Sequence, residues 1–286
     1  MDLLITDMCA DLTKEFCEQN HVLVMPMTYS VNGTDYVHSF AKESPVAFYT
    51  AVRSGALPKT SQINTQEFLD YFTPLLEAGN DLIYLSFSSG LSGTYNSSRL
   101  AVEELRQRFP ERRIDTVDTL AASMGQGLYV YYAVQKRDSG AAHEELVAYL
   151  EQIRQHINHW FTVDDLHYLR RGGRISAATA IVGSMLSIKP VLHCDENGKL
   201  VAVGKTKGRR RSLIALVEKL REQGQEIDGQ MIFISHGDCL EDAYFVRDLV
   251  AKDYPRCTFR INFIGPVIGA HSGPGTLALF FRGKHR

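Results

Sequence analysis

The chain has 286 residues, 31 Lys+Arg against 33 Asp+Glu, a formal net charge of -2 and 44% hydrophobic residues. That length can bury cores for two domains, and the balanced charge gives no global case for nucleic acid or for a strongly acidic or basic partner surface. Cysteines at 9, 17, 194, 239 and 257 form no Cys-x-x-Cys pair and read as free thiols in a reducing cytoplasm. The opening Met1-Asp2-Leu3-Leu4-Ile5 is too short and acidic for a signal peptide, and no apolar run reaches membrane-spanning length.

Residues 3–6 read as a strand, and Asp11 is placed to cap a helix ending at Asn20. Segments 22–31 and 36–38 flank Asn32-Gly33, a strong hairpin signal. Thr65 can cap a helix over 66–78 that Gly79 ends. A strand at 82–87, a helix at 96–109, a strand at 114–117 and a helix at 120–137 follow. This alternation predicts an α/β domain over residues 1–155, with a mostly parallel sheet and helices on both faces. Ligands in such sheets bind beyond the carboxyl ends of the strands, where Thr6-Asp7, the 88–94 loop and Asp118-Thr119 would gather.

The helical stretch 143–156 serves as the connection. In 156–286, strands at 191–194 and 199–203 flank Asn197-Gly198, a second hairpin signal. Helices at 212–223 and 240–251 and strands at 231–235, 260–264 and 276–281 complete the pattern. Hairpins mixed with helices predict a second, α+β domain with a mainly antiparallel sheet. The hairpin at 22–38 is free to cross into that domain. Trp160 is expected to pack at the domain junction.

Several segments carry chemistry. Ser88-Ser89-Gly90-Leu91-Ser92-Gly93-Thr94-Tyr95 lies between a strand and a helix, where loop amides, hydroxyls and a helix N-terminus can hold an anion. No charged residue lies between Ser86 and Ser98, so that loop offers neutral donors. Thr60-Ser61-Gln62 is either a turn and helix cap or a second hydroxyl pair facing the same anion. Leu169-Arg170-Arg171-Gly172-Gly173-Arg174-Ile175-Ser176 is either a basic turn before a helix capped near Ser176 or a clamp for phosphate or an acidic partner. Lys205-Thr206-Lys207-Gly208-Arg209-Arg210-Arg211 reads as a solvated face or as a docking surface. The 265–275 stretch is a Gly/Pro-framed loop with His271 at its centre, structural or functional. His156 and His159 have i, i+3 spacing, which on a helix could bind a metal, but they lack the carboxylate or cysteine partners of a metal motif, and no metal is expected. The chain has no Walker loop and no G-x-G-x-x-G. Ser89 or Ser92 with His271 and Asp7 or Asp118 could form a hydrolase triad, but the Gly-x-Ser-x-Gly elbow is absent.

Taken in order, several of these segments resemble the DegV family of bacterial fatty-acid-binding proteins. They are Ile5-Thr6-Asp7 with Ala10-Asp11-Leu12, Lys59-Thr60-Ser61-Gln62, the 89–95 loop, Val117-Asp118-Thr119, Leu166-His167-Tyr168-Leu169 with Gly172-Gly173-Arg174-Ile175-Ser176, Ile188-Lys189-Pro190, and 269–275. The resemblance implies two α/β domains holding a long-chain fatty acid between them. It places Thr60, Ser92 and His271 around the carboxylate, with Ser61, Gly93, Thr94 and Gly273 in the supporting loops. It further implies a non-catalytic cytoplasmic subunit, without a cofactor, that presents the acid to a separate ATP-binding fatty acid kinase subunit. Transient membrane contact is compatible with that role. Arg170, Arg171 and Arg174 are candidates for phosphate, and Arg209 and Arg211 for docking the kinase. His271 would act as a cation beside the acyl phosphate or as an orienting group. The departures are Met8-Cys9, Ile63, Asn64 and Lys207. A lipid carrier with no kinase is the alternative.

Overall fold

The computed structural model describes residues 2–40, 45–175 and 187–286; Ser176, the expected helix cap, lies outside them. From the start, β1 (Leu3–Asp7) leads through a 3-10 turn (Met8–Ala10) to α1 (Lys14–Gln19) and β2 (Val22–Met25). The cap of α1 is Thr13, whose hydroxyl accepts from the Phe16 amide at 3.2 Å. Asp11, expected there, sits in the left-handed region at φ 49° and turns its carboxylate elsewhere. Next come β3 (Met27–Val31) and β4 (Thr34–His38), joined by Asn32 and Gly33 at φ 52° and 83°, the paired left-handed residues a two-residue hairpin requires.

After α2 (Pro45–Arg53), β5 (Lys59–Thr60) returns to pair with β3. The cap of α3 (Thr65–Glu77) is Asn64, one residue before the expected Thr65. Asn64 Oδ1 accepts from Glu67 N at 3.0 Å while Glu67 Oε2 accepts from Asn64 N at 2.7 Å, a reciprocal capping box. The alternation continues with β6 (Leu82–Ser86), α4 (Thr94–Arg108), β7 (Ile114–Asp118), α5 (Met124–Asp138) and α6 (His143–Ile153). Four strands make a parallel sheet in the order β2-β1-β6-β7. Every residue of β6 is buried, as covered parallel strands require.

The second half holds β8 (Ile157–Thr162), α7 (His167–Arg171), β9 (Ile188–Cys194), β10 (Leu200–Lys207), α8 (Arg209–Gln223), β11 (Met231–His236), α9 (Leu240–Asp253), β12 (Thr258–Phe263), α10 (Pro266–Ser272) and β13 (Leu277–Arg282). Its sheet runs β10-β9-β8-β13-β11-β12, antiparallel throughout except for β11 and β12. The fold is therefore α/β with a parallel first sheet and a mainly antiparallel second one. Among the described residues, no helix is long and apolar enough to cross a membrane.

Three sequence readings fail locally. His156 and His159 do not share a helix. His159 belongs to β8, where Nδ1 donates to Ile157 O at 2.9 Å, and the His156 ring bonds Gly283 O at 3.1 Å. Polar Asn158 and His159 mask the strand in the sequence, but the Asn158 amide donates to His156 O and Lys284 O and the His159 ring to Ile157 O, which lowers the cost of burying them, although Asn158 Oδ1 has no partner among the described residues. Trp160 points to α8 rather than to the junction: its indole donates to Gln223 Oε1 at 2.8 Å and stacks on His193. The 265–275 stretch is not a loop. Pro266 starts α10 in the first helical turn, where its missing N–H costs nothing, and Gly273 ends it at φ 77°.

The two sheets share α5. It packs against β1 and β6 on one side and against β8, β11 and β13 on the other. Near its start the guanidinium of Arg286 gathers backbone carbonyls from four segments, at 2.6 Å to Leu120, 2.7 Å to Arg154, 2.8 Å to Ile157 and 3.3 Å to Asp195. Charged-group hydrogen bonds contribute about 1.5–3 kcal/mol each, and removal orphans several acceptors at once. Arg286→Ala is expected to lower unfolding free energy by about 3 kcal/mol in denaturant titration. Arg286→Lys should restore only part of it, since an ammonium lacks the planar fork.

Candidate functional site

The loops after β1, β6 and β7 lie together at the carboxyl edge of the first sheet and face the second. Ser88 Oγ donates to Gly198 O at 2.8 Å, and a methyl at Gly90 would lie 2.5 Å from Asn197 O, so the β9–β10 hairpin tip closes directly on this loop. Ser89 N and Leu120 N both donate to Asp118 Oδ1 at 3.1 Å. Ser88 and Asp118 are thus occupied in building the loops.

Between the sheets lies a cavity of about 550 Å³, within the usual size range of ligand pockets. Met27, Phe87 and Leu91 supply apolar wall from the first half, and Phe161, Val267 and Phe280 from the second. A polar group of Thr60, Ser61, Gln62, Ser92, Arg174 and His271 also lines it. Ser61, Gln62 and Gly93 are exposed, so this polar end reaches the surface.

Pairing of Thr60 with Tyr29 fixes the Thr60 segment on the small β4-β3-β5 sheet. The Gln62 amide lies against Gly93, where a methyl group would overlap it, and donates to Ser97 Oγ at 3.2 Å. That contact brings together two hydroxyl loops the sequence leaves apart. Ser92 Oγ bonds Thr94 Oγ1 at 2.9 Å and accepts from Thr94 N at 3.2 Å, at the start of α4. Thr94 is fully buried and supports Ser92 from below.

His271 stands on the last turn of α10. Its Nε2 is 2.8 Å from Thr60 Oγ1, and its Nδ1 lies against Gly172 with no hydrogen-bond partner. Burial first, then Arg174 and Arg171, push its pKa down to about 4. Without a ligand the ring is neutral near pH 7. Gly172 leaves room for this ring. Gly173, at φ 70°, turns the chain so that Arg174 N bonds Leu169 O at 3.0 Å. Arg174 then reaches the cavity wall, donating to Leu91 O at 3.3 Å and to Gly172 O. The polar end therefore includes one guanidinium beside the hydroxyls, which the uncharged 86–98 segment does not reveal. Sequence reasoning also missed Ser272. It is 4% exposed, lines the cavity, and its Oγ has no partner. Its place beside His271 was the available signal. Gly273 is hemmed in by Tyr168.

The remaining cations divide. Arg170 and Arg171 are exposed, Arg171 over the Tyr168 ring at 5.2 Å. Arg211 is exposed on α8. Arg209 is engaged internally, with Nε 2.8 Å from Asp242 Oδ2 and a longer contact to Asp164 at 3.7 Å. Among the described residues no triad forms: Ser92 bonds Thr94, and no carboxylate stands behind His271. Asp7 is buried, taking Tyr84 Oη at 2.6 Å and Cys9 N at 2.9 Å.

A profile described as "Uncharacterised protein, DegV family" matches residues 3–284. The chain belongs to the DegV family. It is 42% identical over 282 residues to the DegV domain-containing protein CPE0026 of Clostridium perfringens, covering 98% of this chain and 97% of that one. Two solved DegV structures superpose on it with a TM-score of 0.87 at 29% identity. One is a DegV lipid-binding protein from Thermotoga maritima, covering 100% of both chains. The other is a fatty-acid-binding DegV protein from Thermus thermophilus, covering 98% of this chain and 99% of that one.

The lowered His271 pKa fixes a sign. The native state binds its proton less tightly than the unfolded chain, so the contribution of His271 to stability is full above about pH 6.5 and is lost as pH falls towards 4. NMR titration of the ligand-free DegV protein should show His271 neutral at pH 6 and titrating near 4. Gly172→Ala, which displaces the ring towards solvent, should bring its titration back towards 6.5.

Proposed function

We propose that this DegV protein binds one long-chain fatty acid, with its tail in the cavity and its carboxylate among Thr60, Ser92 and His271. Ser61, Gly93, Thr94 and Gly273 shape the head-group loops. The observation that carries this reading is an apolar cavity between two sheets whose polar end, at the mouth, holds hydroxyls, an imidazole and a guanidinium. Each buried methylene contributes about 0.8 kcal/mol, so a dozen give roughly 10 kcal/mol gross. Burying an unpaired carboxylate costs several kcal/mol. Donors at about 1.5–3 kcal/mol per charged-group bond offset that cost. The tail supplies affinity and the head loops set orientation. On this reading residues 1–155 and 156–286 act as two domains around the acid.

We further propose that the protein works in the cytoplasm as a non-catalytic subunit and presents the carboxylate to a separate ATP-binding fatty acid kinase. A carboxylate oxygen would attack the γ-phosphorus of ATP, the bond to ADP would break, and the acyl phosphate would remain at the mouth. Exposure of Ser61, Gln62 and Gly93 supports access from outside. A guanidinium on the cavity wall supports a role for Arg174 in taking phosphate charge, and the exposure of Arg170, Arg171 and Arg211 supports their meeting an acidic partner surface. Arg209, already paired with Asp242, contributes less to docking.

Organic extraction of the purified protein followed by mass spectrometry should yield about one fatty acid per chain. Thr60→Ala combined with Ser92→Ala should weaken binding by roughly 100-fold, two bonds to a charged group at about 1.5 kcal/mol each. Unchanged affinity would remove the head-group assignment. Acyl phosphate appearing when a cognate kinase and ATP are added separates the kinase reading from a plain lipid carrier.

A further inference from the structure

Helix α10 belongs by connection to the second sheet and packs most closely on α7, yet it also packs on β3, β5, α2 and the 3-10 turn of the first half. Val267, Ile268, His271 and Ser272 place it along the cavity wall. Few polar bonds fix its N-terminal end. Tyr49 Oη donates to Ile264 O at 2.8 Å, and Gly265 N donates to Asp11 Oδ1 at 2.8 Å. The other oxygen of Asp11 accepts from Ser123 Oγ at 2.5 Å, itself 2.9 Å from Ser235 Oγ, and Asn262 donates to Asp11 O at 2.8 Å. Asp11 thus joins the 3-10 turn, the start of α5, β11, β12 and α10. We propose that Asp11 is a positioning residue that latches α10 over the cavity, and that release of this latch is a proton-linked step through which the ligand exchanges.

The groups facing Asp11 make it the titrating partner. Asp7 on β1 adds a like charge. His38 on β4, whose ring packs on Gly265, is held neutral by burial at about 4. Tyr49 on α2 is pushed far up, and His236 on β11 is lowered, both mainly by burial. Cys9 on the 3-10 turn is pushed well up. Ser123, Ser235 and Asn262 do not titrate. Among the described residues, no Lys or Arg hydrogen-bonds to the carboxylate. Burial raises Asp11 to about 7, opposed by only two donors. A protonated Asp11 still fits, since its O–H can donate to Ser123 Oγ with the hydroxyl chain to Ser235 reversed.

When α10 lifts, Gly265 N–H departs and water reaches the carboxylate, whose proton affinity falls to the ordinary value. The closed state therefore binds the proton more tightly, and acid favours closure. Opening should rise by up to about tenfold per pH unit between the two pKa values and level off above about pH 7.

Hydrogen exchange of the α10 amides in the full chain tests this without any ligand. After correction for intrinsic rates, wild-type opening should increase about tenfold or more from pH 5.5 to 7 and then flatten. Asp11→Asn should be flat across that range. Ser123→Ala keeps the carboxylate but removes a donor, and should move the levelling point to higher pH. A flat wild-type profile, or an Asp11→Asn profile that keeps the wild-type slope, overturns the latch. The exchange half rests on the fatty acid reading. Dissociation of a bound fluorescent long-chain fatty acid should follow the same profile, and a pH-independent release overturns that half. Failure to bind any acid at any pH would count against the fatty acid reading, while the amide data would still decide the latch.

Discussion

A helix buried through its first two turns between two sheets governs this molecule. Helix α5 must satisfy two sheets at once, one parallel and one mainly antiparallel, and hydrocarbon covers most of its length. The first turn does the fixing. Gln126 donates to Thr6 Oγ1 at 2.9 Å and to Leu85 O at 3.1 Å, which pins the helix to the carboxyl ends of β1 and β6. Gly125 admits the His159 ring from β8, and Gly127 admits Ala10 O. With the helix held at this end, the sheets come close but do not fill the space beyond it. The cavity is the volume left over, and its walls are apolar because both flanking layers are core.

The polar end follows from the same geometry. Three segments far apart in sequence reach the mouth because each is tied to a different layer: Thr60 to the small sheet, Ser92 to the start of α4, and His271 to α10. Glycine makes their approach possible. Gly93 accepts the Gln62 amide and Gly172 accepts the imidazole, and neither position would tolerate a Cβ without displacing a head-group residue. The electrostatics are mixed. Arg174 supplies positive potential, and burial, helped by Arg174 and Arg171, keeps His271 neutral. An arriving carboxylate would reverse part of this effect, because an opposite charge beside the imidazole favours its protonated form.

Much of the fold was legible in the sequence, and the failures share a cause. Strongly periodic elements such as β6 and α8 were placed to within a few residues, and Asn32-Gly33 and Asn197-Gly198 marked real hairpins. The buried strand β8 was invisible because Asn158 finds its acceptor on the distant Lys284 and His159 on the backbone of Ile157, pairings that no residue pattern announces. Helix α10 hid behind Gly and Pro, which usually mark turns but here serve as cap, first turn and terminator. At the site, family motifs supplied Thr60, Ser92 and His271. Arg174 was named as a cation, but its entry into the cavity depends on the Gly173 turn, and Ser272 lacked any pattern of its own. Two of the departures from the family pattern have structural uses: Asn64 caps α3 and Ile63 is buried in the core.

The contrast between Asp7 and Asp11 shows how similar burial yields different chemistry. Both are buried carboxylates a few residues apart, and burial raises both. Asp7 receives Tyr84, Gln126 and the amides of Cys9 and Phe87, all from the layers around the first sheet. None of these donors is carried by α10, so lifting that helix leaves them in place. Asp11 receives two donors, and one of them, Gly265 N–H, is carried by the helix on the far side of the cavity. A carboxylate whose solvation depends on a movable partner exchanges free energy with that movement, and one held within a single layer does not. The left-handed backbone at Asp11, outside the α1 cap the sequence suggested, is what points its carboxylate across the interface.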